Sequence, residues 1–207
     1  MPDKKDAERR AYNFEIRAEQ TERGTVLTGR PVVYDSRTDI GPFDEIIMPG
    51  ALDGCDLTDV PFLVNHDTQM IPLARSRRNN ANSTMKMAVD DKGLLLERIL
   101  LDTEHNEAAR SLASAVERGD VDGMSFMFAV ADDSWDGLDT DHPTRRVRKI
   151  SKVFEVSACT WPAYDATEIH ARNTAALDSA RAALDSARAQ DDELALAKAK
   201  TQTLLLS

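Results

Sequence analysis

Met85-Lys86-Met87-Ala88-Val89-Asp90-Asp91-Lys92-Gly93-Leu94-Leu95-Leu96 is the stretch whose reading decides the class of fold. Met85, Met87 and Val89 alternate with other residues, the period of a half-buried strand. Asp90 to Gly93 supplies turn formers, and Leu94 to Leu101 returns as an apolar run. Together they predict a β-hairpin. Shorter strand-like pieces lie upstream. Tyr12, Phe14 and Ile16 alternate, and Thr25 to Tyr34 reads as a strand that Gly29 and Pro31 make bulged or place at an edge. Phe43 to Ile47 is a short apolar piece stopped by Pro49-Gly50, and Val60 to Val64 is an apolar run ending at Asn65-His66-Asp67.

Downstream comes the one helix expected in the body. Asp102 or Thr103 is its expected cap, with Glu104 and Glu107 in the first turn, where the helix dipole favours anions. Ala108, Leu112, Ala115 and Val116 share a face, and Gly119 ends the helix. Val121 to Val130 then reads as a strand containing Ser125. Asp132 to Asp141 is an acidic loop with five aspartates, and Arg145 to Val156 a basic strand leading to Glu155. The pattern as a whole predicts an α+β chain that is mostly β.

The 207 residues are 42% hydrophobic and 30% charged, which fits one soluble globular domain with an appendage. Aromatic residues are only 5%, so the core must rest on aliphatic side chains. A net charge of -10 argues against nucleic acid as a partner, since such binders need a basic face. Membrane partners are not expected either, because no apolar run approaches a membrane span. The polar start, Met1-Pro2-Asp3-Lys4-Lys5-Asp6, does not read as a signal peptide. Cys55 and Cys159 are too few for a disulfide framework and read as reduced thiols of a cytoplasmic protein.

Residues 1 to 10 read as a loose charged arm, 11 to 171 as the folded domain, and 172 to 207 as a helical or disordered tail. The tail carries a seven-residue repeat, with Ala176 to Ala182 and Ala183 to Ala189 both ALDSARA. Leu177 and Leu184 fall in register, as in a heptad pattern. Two heptads are too few to make a stable coiled coil alone.

Three side chains sit at the edges of strand-like runs: His66, Ser125 and Glu155. An imidazole, a hydroxyl and a carboxylate are the parts of an activated serine nucleophile. Each also has a plainer reading. His66 alone could cap a strand, and Ser125 could be a small residue in a crowded one. Glu155 lies between Phe154 and Val156, where an unpaired charge is costly. Its partner is either one of Arg145, Arg146, Arg148 and Lys149, or His66. His66, His105, His142 and His170 are scattered, and no metal is expected. The aspartates of 132 to 141 lack calcium-loop spacing and read as a solvated turn. Cys159 reads as packed core, and the acidic loop around Cys55 disfavours a thiolate.

Six pieces in order carry a resemblance. They are Gly29-Arg30-Pro31-Val32-Val33-Tyr34, Phe43 to Leu52, Leu63-Val64-Asn65-His66-Asp67, Asp91-Lys92-Gly93-Leu94, Gly123 to Phe128, and Phe154-Glu155-Val156-Ser157 through Trp161-Pro162-Ala163-Tyr164. With these, the chain resembles the prohead (capsid maturation) serine proteases of tailed bacteriophages, related in fold to the herpesvirus capsid assembly proteases. The resemblance implies a compact antiparallel β-barrel with flanking helices. It implies a serine endopeptidase with Ser125 as nucleophile and His66 as general base, and no cofactor. Glu155 is the best match for the third member by order and spacing, with Asp67 a distant second. The paired arginines that hold the oxyanion in the herpesvirus enzymes have no counterpart at Ala163 and Tyr164, where backbone N–H groups could act instead. The implied partners are the major capsid protein with its scaffold region, and a second copy of the chain. The implied place is the assembling prohead in the host bacterial cytoplasm, with self-cleavage expected. A catalytically inactive capsid assembly scaffold or chaperone, and an unrelated β-rich binding module, are the alternatives.

Overall fold

The computed structural model describes residues 7–12, 16–22, 24–160 and 167–205. Eleven strands and two helices are described. Four strands make one antiparallel sheet in the order β2 (Arg17–Thr21), β3 (Gly24–Val33), β9 (Gly93–Leu101), β8 (Met85–Asp90). The other sheet runs β1 (Glu8–Tyr12), β10 (Gly123–Asp136), β11 (Thr144–Cys159), β5 (Asp44–Ile47), β4 (Arg37–Asp39). In this second sheet β6 (Pro61–Val64) also pairs with β11, and β7 (Ala74–Arg75) pairs with β6.

The mostly-β class holds, with a correction to the expected barrel. The described strands form two sheets and do not close into one ring, and pairing is not wholly antiparallel. Both β5 and β6 run parallel to β11. Neither β5 nor β6 is joined to β11 by a hairpin, so no tight turn imposes antiparallel pairing, and the sixteen residues of β11 give β5 its first part and β6 its last.

One core joins the sheets. Met124, Phe126 and Phe128 of β10 and Val156 and Ala158 of β11 meet Leu27, Leu94, Leu96 and Ile99 of the other sheet. Phe126 and Phe128 stack with ring centroids 4.4 Å apart. Side chains alternate along a strand, so Ser125, Glu155 and Ser157 are turned to the opposite face.

The hairpin forms as expected, with Asp90 opposite Gly93. Gly93 is required twice over. Its φ is +131°, and a Cβ there would stand 2.2 Å from the Val32 carbonyl oxygen of β3. Gly29 and Pro31 do bulge β3, with register shifts on both sides of Gly29, but the strand is interior to its sheet. Helix α1 (Glu107–Arg118) starts later than expected. Asn106, not Asp102 or Thr103, accepts from the N–H groups of Ala108 and Ala109. The buried face is Ala109, Leu112, Ala113 and Val116, so Ala108 turns to solvent. Asp102 instead accepts from the His105 backbone in a turn before the helix. Gly119 closes the helix at φ +76°.

The acidic loop is shorter than expected. Asp132, Asp133 and Asp136 belong to β10 and pair with Arg148, Arg145 and Arg146 across the ladder. Phe14 of the first expected strand lies outside the described residues. Residues 8–10 of the expected arm belong to β1, which pairs with β10. Helix α2 (Thr167–Leu205) carries the repeat. Leu177 is buried and Arg181 donates to the carbonyls of Leu138 and Thr140, so the first repeat packs on the body. Leu184, at the same position of the second repeat, is only half-buried.

The two glycines give a graded stability test. Gly119→Ala has open space and costs only its left-handed backbone, about 1 kcal/mol. Gly93→Ala adds a backbone clash and should cost more than about 2 kcal/mol. Urea unfolding midpoints would read the difference.

Candidate active site

Strand β11 organises the site. Glu155 and Ser157 are two residues apart, so they project from one face. Both are buried. The Ser157 hydroxyl donates to Glu155 Oε2 at 2.6 Å. The other carboxylate oxygen, Oε1, lies 2.5 Å from His66 Nδ1. The carboxylate therefore meets His66 and none of the arginines weighed against it. Those are engaged elsewhere: Arg145 bonds Glu8, Glu45 and Asp133, Arg146 bonds Asp136, and Arg148 bonds Asp132.

His66 reaches Glu155 from the end of β6, and the backbone there is unusual. Asn65 and His66 have φ of +49° and +59°, a conformation that non-glycine residues adopt rarely. Three bonds from β11 and its end hold the turn. The Asn65 N–H donates to the Ala158 carbonyl at 2.9 Å. The His66 N–H donates to Ser157 Oγ at 3.3 Å. Asn65 Oδ1 accepts from the Thr160 N–H at 3.1 Å. The parallel pairing of β6 on β11, with Leu63 opposite Ser157, delivers the turn to this point.

Ser125 sits on the neighbouring strand, its Cα directly opposite Ser157. It is buried, and its hydroxyl donates to the Arg10 carbonyl of β1 at 2.7 Å. Among the described residues no hydrogen bond joins it to His66. Asp67 points away into its own loop, where it accepts from the Gln69 N–H. Trp161 to Tyr164, the stretch weighed for oxyanion donors, lies outside the described residues.

Cys159 is next along the same face of β11 and is buried. Burial pushes its thiol up to about 12, and the neighbouring Glu155 adds to the rise. Cys55 is also pushed up to about 12, by burial first and by Asp56 second. Both shifts disfavour the thiolate, the nucleophilic form, at neutral pH. Asp39, Asp44 and His142 come within 4.8 Å of one another at a distant exposed corner, where Arg37 and His142 both bond Asp44.

The sequence reading missed Ser157, although it stands in the quoted Phe154-Glu155-Val156-Ser157. The signal was present: a hydroxyl two residues from a strand carboxylate shares its face. The contact between Ser125 and β1 had no sequence signal.

Residues 12–180 match the family described as Caudovirus prohead serine protease. The chain belongs to that family. It is 33% identical over 131 residues to the "Prohead protease" of Enterobacteria phage HK97, a match covering 61% of this chain and 52% of that protein. The chain thus aligns with about half the length of this relative. No solved structure gave a significant match. No described helix is long and apolar enough to cross a membrane.

The thiols give a direct check of the site's electrostatics. Iodoacetamide at pH 8 should modify neither Cys55 nor Cys159 in the folded protein, over a time that fully alkylates a free thiol. Both should react in denaturant. Fast modification of folded Cys159 would contradict the burial of the face that carries Glu155.

Proposed function

We propose that this chain is a serine endopeptidase of prohead maturation, with Ser125 as nucleophile, His66 as general base and Glu155 as the group that orients His66. The contact between His66 Nδ1 and a buried Glu155, one strand away from Ser125, carries the reading. With Nδ1 turned to the carboxylate, Nε2 is left to take the serine proton during attack on a peptide carbonyl. It then returns that proton to the leaving amine. Glu155 fixes the tautomer and stabilises the imidazolium. Ser157 holds the second carboxylate oxygen and the His66 backbone, which makes it a positioning residue. The chemistry uses no cofactor.

Family membership supports the substrates: the major capsid protein, its scaffold region and the protease itself. The place of action is the assembling prohead inside the host, with self-association of the protease. We extend the reading to architecture, taking the two sheets and their shared core as a relative of the herpesvirus-protease-like fold. The protease body is residues 11 to 171 together with the first repeat of α2. The remaining tail docks on the scaffold.

The second reading is an inactive assembly scaffold, favoured by one observation: the Ser125 hydroxyl is buried and bonded to a backbone carbonyl. A fluorophosphonate probe separates the two, since only an activated serine reacts.

Co-expression with the capsid protein is the functional test. Ser125→Ala should abolish processing without changing the melting temperature by more than a few degrees. His66→Ala should lower the rate by about 10³-fold or more. Ser157→Ala should lower it by about ten- to a hundredfold, since it loses the bonds to Glu155 and to the His66 N–H. Processing by Ser125→Ala at the wild-type rate would overturn the proposal.

The tail has its own test. A chain ending at Arg172 loses Leu177 and the Arg181 bonds, so it should melt lower. A chain ending at Arg188 should keep the full melting temperature and peptidase activity but enter proheads poorly.

A further inference from the structure

The sheet edge beside Ser125 is covered by the chain itself. Strand β1 lies antiparallel on the free edge of β10, with Ala11 opposite Ser125 and Arg10 opposite Phe126. An extended peptide added to a sheet edge makes this same ladder of backbone bonds. The Ser125 hydroxyl faces a main-chain carbonyl, that of Arg10, at 2.7 Å. It donates its proton to the carbonyl oxygen. In attack the hydroxyl oxygen would instead approach the carbonyl carbon and give its proton to a base. The contact is therefore a blocking pose.

Side chains hold β1 in this position. The Arg10 guanidinium bonds both carboxylate oxygens of buried Glu45, at 2.5 and 2.8 Å. Glu8 bonds Arg10 and Arg145 at 2.6 Å each. Burial pushes the Glu8 carboxyl up, but the two guanidiniums more than offset this and hold it below its ordinary value. The fit is incomplete at one point, because Arg9 Nε is buried without a hydrogen-bond partner. The strand is thus held by ion pairs and leaves one buried donor unmet.

We propose that β1 is an internal occupant of the substrate groove, so that an extended peptide reaches Ser125 only after residues 8–12 leave the edge of β10. The proposal rests on the endopeptidase reading above and adds the regulation of that site. Substrate and β1 compete for one edge, and the rate scales with the fraction of molecules whose groove is open. The ligand class is an extended polypeptide recognised through its backbone.

Three proteins test it: the full chain, a chain starting at Asn13, and the full chain with Arg10→Ala. If β1 fills the groove about 90% of the time or more, fluorophosphonate should label Ser125 about tenfold faster in the shortened chain. Arg10→Ala should fall between the two, and it decides the matter if circular dichroism shows the shortened chain unfolded. A synthetic peptide of residues 7–13 should slow labelling of the shortened chain again. With a peptide substrate it should raise KM and leave kcat unchanged. Equal labelling of full-length wild type and Arg10→Ala, or of full-length and a folded shortened chain, would overturn the proposal. Binding of the same fluorescent peptide to a shortened Ser125→Ala protein reads the groove without the chemistry. Peptide binding with no labelling of any form would keep the groove and refute the nucleophile. Labelling without peptide binding would do the reverse.

Discussion

Glu155 is a carboxylate only 3% exposed on the longest strand of the protein, and that burial constrains everything near it. A buried carboxylate without partners costs several kcal/mol or changes its protonation. Its partners come from two directions. Ser157 is supplied by the strand itself, at no cost in topology. His66 must arrive from elsewhere, so β6 has to run alongside β11 and turn sharply at its end. The parallel pairing of β6, the left-handed conformations of Asn65 and His66, and the bonds from Ala158, Ser157 and Thr160 all follow from delivering one imidazole to one carboxylate.

The same strand solves a second electrostatic problem at its other end. Arg145 is buried beside Glu45, Glu8 and Asp133, and Arg10 of β1 shares Glu45. This cluster has two guanidiniums and three carboxylates, and each carboxylate bonds at least one guanidinium. It also keeps the arginines away from Glu155. An arginine there would satisfy the carboxylate and leave His66 unoriented. Holding the arginines of β11 on acids from β1, β5 and β10 at one end, and Glu155 on His66 at the other, is what makes the proposed site chemically distinct from a structural ion pair.

Much of this was legible in the chain. The hairpin of Met85 to Leu101, the bulged β3 and the strands bearing Ser125 and Glu155 follow from period and turn residues. Glu155 was identifiable because a carboxylate between Phe154 and Val156 has to find a partner. The identity of that partner was not readable, since His66 and the four nearby basic residues satisfy the same local rule. The helix cap was misplaced because Asp102, Thr103 and Asn106 are all good caps, and tertiary packing of Leu112 and Val116 chose among them. The acidic stretch was misread because its compensating arginines lie across a ladder, about ten to sixteen residues away, where composition cannot show the pairing. The two ALDSARA repeats are the plainest case. Identical letters give a buried Leu177 and a half-buried Leu184, because only the first repeat has the body beneath it.

Backbone strain shows how far geometry alone can be trusted to mark function. Asn65 and His66 are in the left-handed region, and so are Arg77, Arg78 and Asn79 in the turn before β8. The second turn has more strained residues, yet its bonds explain it structurally. Asn79 accepts from the Met87 N–H at 3.1 Å and donates to the Met87 carbonyl at 2.8 Å, which pins β8 beside its register shift. Arg77 and Arg78 are exposed and face no buried acid. At Asn65-His66 the strain instead presents a titratable ring to a buried carboxylate. Strain of order 1–3 kcal/mol per residue is tolerated wherever surrounding bonds over-determine the turn. What separates the two turns is the chemistry of the group delivered, so the case for His66 rests on Glu155 and not on its φ.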